Sequence, residues 1–429
     1  MTSVKGDNSY DIAVIGGGPA GMIAAGRAAE LGSRVILIEK NNLLGKKLLI
    51  TGKGRCNFTH YELDRDKLAI HFGKNGRFLY GALDRFSVSD VLNFFQSRGV
   101  EWAIERGNRV FPADGDARTV LNVLTQYLNK GKVNILCNKK VIDIELIEEN
   151  LQKFKIIINE TKIQEIISDK IIICTGGKSY PQTGSTGDGY AWAKKFGHKV
   201  NKTLPALNPV RISESWVQEL QGLTLKNISL HLYQGGKKRD ERFGEMLFTH
   251  FGVSGPIVMD MSKHIGQLLK KGDVKLWLDL KPALSFKKLD ERIRRDFLEF
   301  KGRMFKNSLK KLLPSSMIEL IVRLSGIDGE KKVDYISKDE RNRLLHLLKE
   351  LELTPTELLG YQWSVVTSGG VDLRDVDPNS MCSKKINNLY FAGEILDLDG
   401  PSGGFNLQVC WSTGYLAGDS AAGRKKACQ

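Results

Sequence analysis

The sequence predicts an α/β fold whose first domain is interrupted by a long, mainly β insertion. Three observations predict it. An apolar run near the start empties into a glycine-rich turn and an alanine-rich helical stretch, and another apolar run empties into glycines after Cys174. Around Pro205 to Pro209 the texture changes to alternating, strand-like segments, and from about Val365 it returns to glycine-rich turns and short strands.

Taken in order, Asp11 to Ile15 reads as a strand, Met22 to Leu31 as a helix, and Val35 to Ile38 as a second strand ending at Glu39, which together make one βαβ unit. Val133 to Leu136, Val141 to Leu146 and Phe154 to Ile158 read as successive strands. Lys170 to Cys174 has the unbroken apolar character of a buried parallel strand and leads into Thr175-Gly176-Gly177. Beyond the change of texture, Leu225 to Tyr233 and Val274 to Leu278 alternate as strands do. Ser285 to Leu353 carries helical periodicity with heavy charge, as in Leu289 to Phe300 and Glu340 to Leu351, and Pro355 and Gly360 mark its exit. Asn388 to Ala392 is a further sheet strand. The expected organisation is therefore a first domain over 1–204 and 367–429, a β-rich insertion over 205–284 and 354–366, and a small helical insert over 285–353.

A length of 429 residues allows two or three domains, and 41% hydrophobic residues fill ordinary cores. No run approaches the roughly 20 apolar residues of a membrane span, and the N-terminus lacks the pattern of a signal peptide, so the cytoplasm is the expected compartment. The six cysteines show neither C-x-x-C nor zinc-ligand spacing, so no metal and reduced thiols are expected. The formal charge is +15, and Lys263 to Lys311 holds fifteen Lys and Arg against six Asp and Glu. Their spacing among Leu, Ile and Phe reads first as a solvated helical face; a surface for nucleic acid is the alternative.

Gly16-x-Gly18-x-x-Gly21 carries the chemistry. Its first glycine permits a tight turn, its second lets backbone approach a pyrophosphate, and its third lets helix pack on strand. Pro19 and Ala20 lie within the same turn, and the helix that follows presents its free N–H groups to the phosphates. Glu39, with Lys40 beside it, follows about 20 residues later, where a carboxylate accepts both ribose hydroxyls. There is no second fingerprint, and Thr175-Gly176-Gly177 and Gly393-Glu394 suit a large cofactor touched by distant parts of the chain. FAD is therefore expected, rather than a nicotinamide cofactor alone.

Four segments then resemble one family. They are Gly45 to Thr59, containing Gly52-Lys53-Gly54-Arg55-Cys56-Asn57; Gly244 to Pro256; Thr367 to Val371; and Gly400 to Gln408. Their order and character are similar to the BaiN-like flavoproteins, described as NAD(P)/FAD-dependent oxidoreductases and including aminoacetone oxidases and 3-dehydro-bile-acid reductases. The resemblance spans nearly the whole chain. It implies a glutathione-reductase-like FAD-binding Rossmann domain interrupted by a β-barrel-like domain and a small helical subdomain. It further implies that Val141 meets the adenine through its backbone, and that Lys46, Lys47 and the loop Thr51, Gly52, Lys53, Gly54, Arg55, Cys56, Asn57 line the middle and ring of the cofactor. Gly393, Glu394 and Asp397 would meet the ribityl and phosphate region, and Gly404, Phe405, Asn406 and Leu407 the pyrimidine edge. The chain departs from the family pattern at Lys53, His60, Phe405 and Val409-Cys410, close to the expected ring environment.

If Gly403-Gly404 precedes a helix through Leu407 to Gly418, its N–H groups and dipole would stabilise negative charge on the flavin during reduction, with hydride passing at N5. Cys56 reads as a packed thiol, with a redox role assisted by Arg55 as the alternative. His250 is a candidate acid or base or a structural histidine, and Arg55, Lys53 and Tyr180 are candidate substrate anchors; no catalytic residue is assigned. The expected activity is FAD-dependent oxidation or reduction of a small organic substrate by a monomer or homodimer, with NAD(P)H as a transient co-substrate. The alternatives are an oxidase reduced by its own amine or aminoketone substrate and reoxidised by oxygen, or an FAD protein docking to RNA through its basic insert.

Overall fold

The computed structural model describes residues 9–147, 153–159 and 164–423; Cys428 lies outside them. The chain divides into two compact units, one formed by Met1–Pro205 with Val365–Gln429 and the other by Ala206–Ser364.

The first unit is built on a seven-stranded sheet. Its order is Asn134–Leu136, Val35–Ile38, Ser9–Ile15, Gln164–Ile173, Phe154–Asn159 and Lys140–Leu146, with Leu389–Phe391 also beside Gln164–Ile173. The first four strands and Leu389–Phe391 run parallel, while Phe154–Asn159 and Lys140–Leu146 join antiparallel. Gln164–Ile173 is longer than the expected Lys170 to Cys174, and the reason is division of labour. Its early residues pair with Phe154–Ile158 and alternate between buried Ile166 and Ser168 and partly exposed neighbours, whereas Ile171–Ile173 pair with Leu389–Phe391 and are fully buried. Only the second part carries an unbroken apolar signal.

Helix Pro19–Glu30 packs on this sheet. Pro19 sets its first turn, and Ala20, Met22, Ile23, Ala24, Ala25 and Ala28 are buried, so it is apolar on nearly every side. Its outer side is covered by the C-terminal helix Phe405–Ala422, longer at both ends than expected. The two backbones touch. A Cβ at Gly414 would lie 2.4 Å from the Ala20 carbonyl oxygen, and one at Gly418 would lie 2.3 Å from that of Ala24. Asp419 clamps the far end, accepting from Arg27 Nε (2.8 Å) and Nη2 (2.6 Å) and from Arg85 Nε (2.9 Å).

The second unit contains a seven-stranded antiparallel sheet in the order Leu351–Leu353, Lys275–Asp279, Thr224–Gln234, Lys237–Thr249, Gly252–Ser254, Val210–Ile212 and Pro355–Leu358. Its two outermost strands are separated in sequence by Thr354 alone, so the sheet curls until both edges are borne by adjoining segments. Helices Phe286–Glu299, Ser315–Ser325 and Lys338–Lys349 share a core through Leu289, Ile293, Ile321 and Leu344. Lys349, buried, ties the last of them to the sheet through Asp279.

Cys56, Cys137, Cys174 and Cys410 are free thiols, but Cys382 is disulfide-bonded, which corrects the expectation of reduced thiols at that residue. No helix among the described residues is long and apolar enough to cross a membrane, and no cluster among them has the composition of a metal site.

Burial acts to raise the Asp419 carboxyl, but hydrogen bonds from Arg85 and Arg27 outweigh it and hold it below its ordinary value of 3.8. Its stabilisation is therefore complete above that pH and is lost as acid protonates the carboxylate below it. Replacing Asp419→Ala is expected to cost about 1–2 kcal/mol in urea unfolding at pH 7, because Arg27 keeps its partly buried charge with Glu30 alone as partner and Arg85 loses its carboxylate. Variant and parent should converge in stability towards pH 2.

Candidate cofactor-binding site

The parallel strands Ser9–Ile15, Val35–Ile38 and Gln164–Ile173 end side by side, and a cleft opens beyond their carboxyl ends, the usual place for a ligand in a parallel sheet. Its empty space, open solvent at the mouth included, is about 830 Å³. Gly16, Gly17, Gly18, Pro19 and Ala20 form its floor. Gly16 has φ +104° and no room for a side chain, since a Cβ would lie 2.5 Å from the Cys174 carbonyl oxygen. A Cβ at Gly21 would lie 1.9 Å from the Gly16 oxygen, so Gly21 sits beneath the cleft as the packing glycine. Gly18 differs from both. Among the described residues, no atom beyond its chain neighbours stands within 4 Å of where its Cβ would be, although it lines the cleft. Its bareness serves what fills the cleft.

Glu39 is 8% exposed at the end of its strand. One carboxylate oxygen accepts the Gly17 N–H (2.7 Å), and the other accepts the Asn41 backbone N–H (2.8 Å) and side-chain amide (2.7 Å). This holds the carboxylate in the cleft wall with lone pairs left for ribose hydroxyls. The mouth is bridged above it, where Lys40 Nζ meets Asp188 (2.7 Å) and Thr186 (2.5 Å), and the Asn41 amide donates to the Thr183 carbonyl (2.9 Å). Lys139, Lys140 and Val141 complete this end. At the other end are Lys46, Lys47, Thr175, Gly176, Glu394 and Cys410. Lys47 Nζ pairs with Glu394 at 2.8 Å, and Glu394 is fixed in turn by the Thr367 N–H at 2.8 Å.

Two observations test whether FAD fits. Thr175 lines the cleft, and its hydroxyl is buried without a hydrogen-bond partner among the described residues, a site that a ligand's polar group would complete. The lining also carries five lysines against three carboxylates, an excess that suits a pyrophosphate above a helix N-terminus. Both fit a dinucleotide.

A second group of expected residues lies together on another patch of the same unit. A Cβ at Gly404, whose φ is +102°, would lie 2.3 Å from the Thr59 carbonyl, and the Trp411 indole donates to the Phe58 carbonyl (2.8 Å). These contacts seat the start of the C-terminal helix against the chain that follows Thr51–Asn57. Gly404 caps this helix without a side-chain hydrogen bond, leaving its first N–H groups available to an anion. His60 stacks on Phe405 with centroids 4.1 Å apart and lies 3.2 Å from the Gly403 carbonyl through Nδ1. Burial, helped by His71, lowers its pKa below the ordinary value, and because a carbonyl can only accept, Nδ1–H is the donor. Asn57 Oδ1 is a buried acceptor without a partner. Leu407 and Cys410 are one turn apart on the helix, so a single element reaches from this patch to the cleft.

Other expected residues stand further back. A Cβ at Gly393 would meet Ala20 at 2.7 Å, and one at Gly177 would meet the Glu394 carboxylate at 3.0 Å, so both pack behind lining residues. Asp397 accepts from the Asn201 amide (2.9 Å), and Asn406 is engaged with Gly400 (2.9 and 3.0 Å). Arg55 pairs with Glu105 and lies over the Phe111 ring, 4.3 Å from its centroid. Cys56 is fully buried, and burial pushes its thiol up to about 12, so the redox alternative falls. Lys53 is exposed, and Tyr180 is half-buried with its phenol raised by burial. His250 belongs to the second unit, edge-on to Phe251 at 4.8 Å. Sequence reasoning missed Asn41, Lys139, Lys140, Thr183, Gly184 and Asp188. The dipeptide Lys139-Lys140 directly before Val141 and the glycine-rich Thr183 to Gly189 were the available signals.

Replacing Glu39→Ala is expected to weaken FAD binding about 10- to 100-fold, the loss of charge-assisted hydrogen bonds, in titration of the apoprotein followed by flavin fluorescence. Asp188→Ala, which opens the mouth without touching Glu39, should speed cofactor release several-fold while leaving the flavin spectrum unchanged.

A model of the HI0933-like protein Rossmann domain matches residues 10–420. The 3-dehydro-bile acid delta(4,6)-reductase of Clostridium scindens is 30% identical over 96% of this chain and 99% of its own length. The ribosomal RNA dihydrouridine synthase of Haemophilus influenzae is 30% identical over 94% of this chain and 96% of its own. Among solved structures, the 3-ketosteroid-delta4-(5alpha)-dehydrogenase from Rhodococcus jostii RHA1 aligns over 99% of both chains with a TM-score of 0.52 at 16% identity, a likeness of fold. The family match runs from the first strand to the C-terminal helix and leaves out neither unit, so the chain belongs to the HI0933-like family, as its BaiN-like motifs implied, and is an FAD-dependent oxidoreductase.

Proposed function

We propose that the protein reduces a carbon–carbon double bond conjugated to a carbonyl in a small organic molecule, with NAD(P)H as a donor that binds transiently. The observation that carries this reading is the C-terminal helix, whose uncapped start stands at one patch while Cys410, about one and a half turns in, lines the cleft. A cofactor anchored at Gly16 to Ala20 and Glu39 would extend past Lys46, Lys47 and Thr175 toward those free N–H groups. Bound FAD supplies hydride transfer. The chain holds its pyrophosphate over helix Pro19–Glu30, its ribose on Glu39, and developing negative charge on the start of helix Phe405–Ala422. With one fingerprint per chain, a nicotinamide donor has no dinucleotide fold of its own and would visit and leave. Ala206–Ser364 serves in this reading as a barrel-like insertion with a helical subdomain.

The names of the two relatives support the reaction class. A delta(4,6) bond in a 3-dehydro steroid is conjugated to the 3-oxo group, and dihydrouridine is uridine saturated at the ring double bond conjugated to a carbonyl. The +15 charge favours a second reading, in which the reduced bond belongs to a uracil base of RNA, since such an excess attracts a polyanion.

Under anaerobic conditions NADH or NADPH is expected to bleach the visible flavin band, and a steroid enone to restore it. Bleaching by an aminoketone but by neither nicotinamide would overturn the reductase reading in favour of the oxidase alternative. Unmodified ribosomal RNA that restores the band faster than the enone, with dihydrouridine formed, would establish the second reading over the first.

A further inference from the structure

The lysine-rich lining of the cleft accounts for only part of the positive charge, and the second unit carries a concentration of it beside exposed apolar side chains. Residues 301–306 and 329–335 run antiparallel there. Met304 pairs with Lys332, the Phe305 N–H donates to the Lys331 carbonyl (2.8 Å), and the Val333 N–H donates to the Arg303 carbonyl (3.0 Å). Phe305 and Val333 are buried, so the alternation of an extended ladder turns Met304 and Lys332 outward. Leu298, near the end of helix Phe286–Glu299, is 75% exposed, and that helix packs on the turn bearing Tyr335, which is 72% exposed.

The carboxylates nearby are already engaged. Glu330 pairs with Lys306, Glu340 with Lys331 and Glu299 with Lys311, and Asp334 accepts the Gly302 N–H at 2.8 Å. Lys301, Arg303 and Lys332 have no carboxylate partner among the described residues. Three cations without an ion-pair partner, against the one carboxylate of Asp334, which is held only by a neutral N–H, therefore share these adjoining segments with an exposed aromatic ring and two exposed aliphatic side chains.

We propose that this face, made by Leu298, Lys301, Arg303, Met304, Lys332 and Tyr335, is a docking surface for RNA. The pattern matches what an unpaired RNA segment offers: phosphates spaced along a backbone for the cations, and unstacked bases for the ring and its aliphatic neighbours. An acidic protein would use the cations but leave the exposed ring without an equivalent partner. The inference rests on the reading that RNA is the substrate.

The test uses the FAD-loaded full-length protein and protein-free ribosomal RNA, with binding measured across a salt series. The wild type should bind with affinity falling steeply with salt. Combined Lys301→Glu, Arg303→Glu and Lys332→Glu should lower the slope of log affinity against log salt by about 2–3, as loss of three phosphate contacts requires. Tyr335→Ala should weaken binding about tenfold without changing that slope, as loss of a stacked base does. A control with Lys74→Glu, Lys130→Glu and Lys194→Glu, three exposed lysines of the first unit, makes the same change in net charge and should bind nearly as wild type. Retained FAD and unchanged bleaching by the nicotinamide donor establish that each variant is folded. If the wild type binds but the two charge-reversed proteins lose affinity equally, or the first loses none, the surface is wrong and the RNA reading stands. If the wild type does not bind, the RNA reading fails and the surface with it.

Discussion

Everything in the first unit depends on how closely two helices approach each other. Helix Pro19–Glu30 must sit low on the sheet for its N-terminus to close the turn at Gly16, and Gly21 lets it do so. The C-terminal helix must then lie on its outer side, and Gly414 and Gly418 bring the backbones together over Ala20 and Ala24. Dispersion contacts at such spacing are dense, and interiors yield little to added volume. The consequence reaches the ligand. Fixing one helix against the other fixes the distance between two N-termini, one under the cleft and one at the patch formed with Thr59 and His60.

Electrostatics refine this frame. The cleft pairs its charges selectively: Lys47 with Glu394 and Lys40 with Asp188, while Glu39 is held by N–H groups and has no cation paired with it among the described residues. A carboxylate neutralised by a lysine would be a poorer acceptor for hydroxyls, and backbone donors avoid that. Thr175 and Asn57 stand at different places along the same unit with buried oxygens that lack partners, a cost a folded chain accepts where a ligand later supplies them.

The parts that were legible in the sequence are those in which local chemistry and global fold coincide. The strand, Gly16 to Gly21, the alanine-rich helix and Glu39 lie within 31 residues, and their spacing alone dictates where each must point. The helical character of Phe286–Glu299 and Lys338–Lys349 was equally plain in their periodicity. Asp188 and Asn41 were not legible as cleft residues, because what places them there is contact across 142 to 148 residues of chain. Asn406 carried the opposite lesson. It stands within the best-matched motif, yet its amide is engaged in holding the Gly400 turn, so motif membership did not tell a ligand contact from the scaffold beside it. The early half of Gln164–Ile173 was missed because one of its faces is only partly buried and the apolar signal thins.

The two units differ in how they are written along the chain, and this bears on the order in which they can be made. Ala206–Ser364 is a single uninterrupted stretch, complete as soon as it has left the ribosome. The other unit begins first and finishes last. Its central strand waits for Leu389–Phe391, and its first helix waits for a partner that ends at Ala422. Until that partner helix has emerged, the backbone at Ala20 and Ala24 has no cover on its outer side, and the N–H groups that follow Gly404 are not yet in place. Synthesis therefore leaves the insertion tethered to a cofactor domain that is completed only when helix Phe405–Ala422 is added.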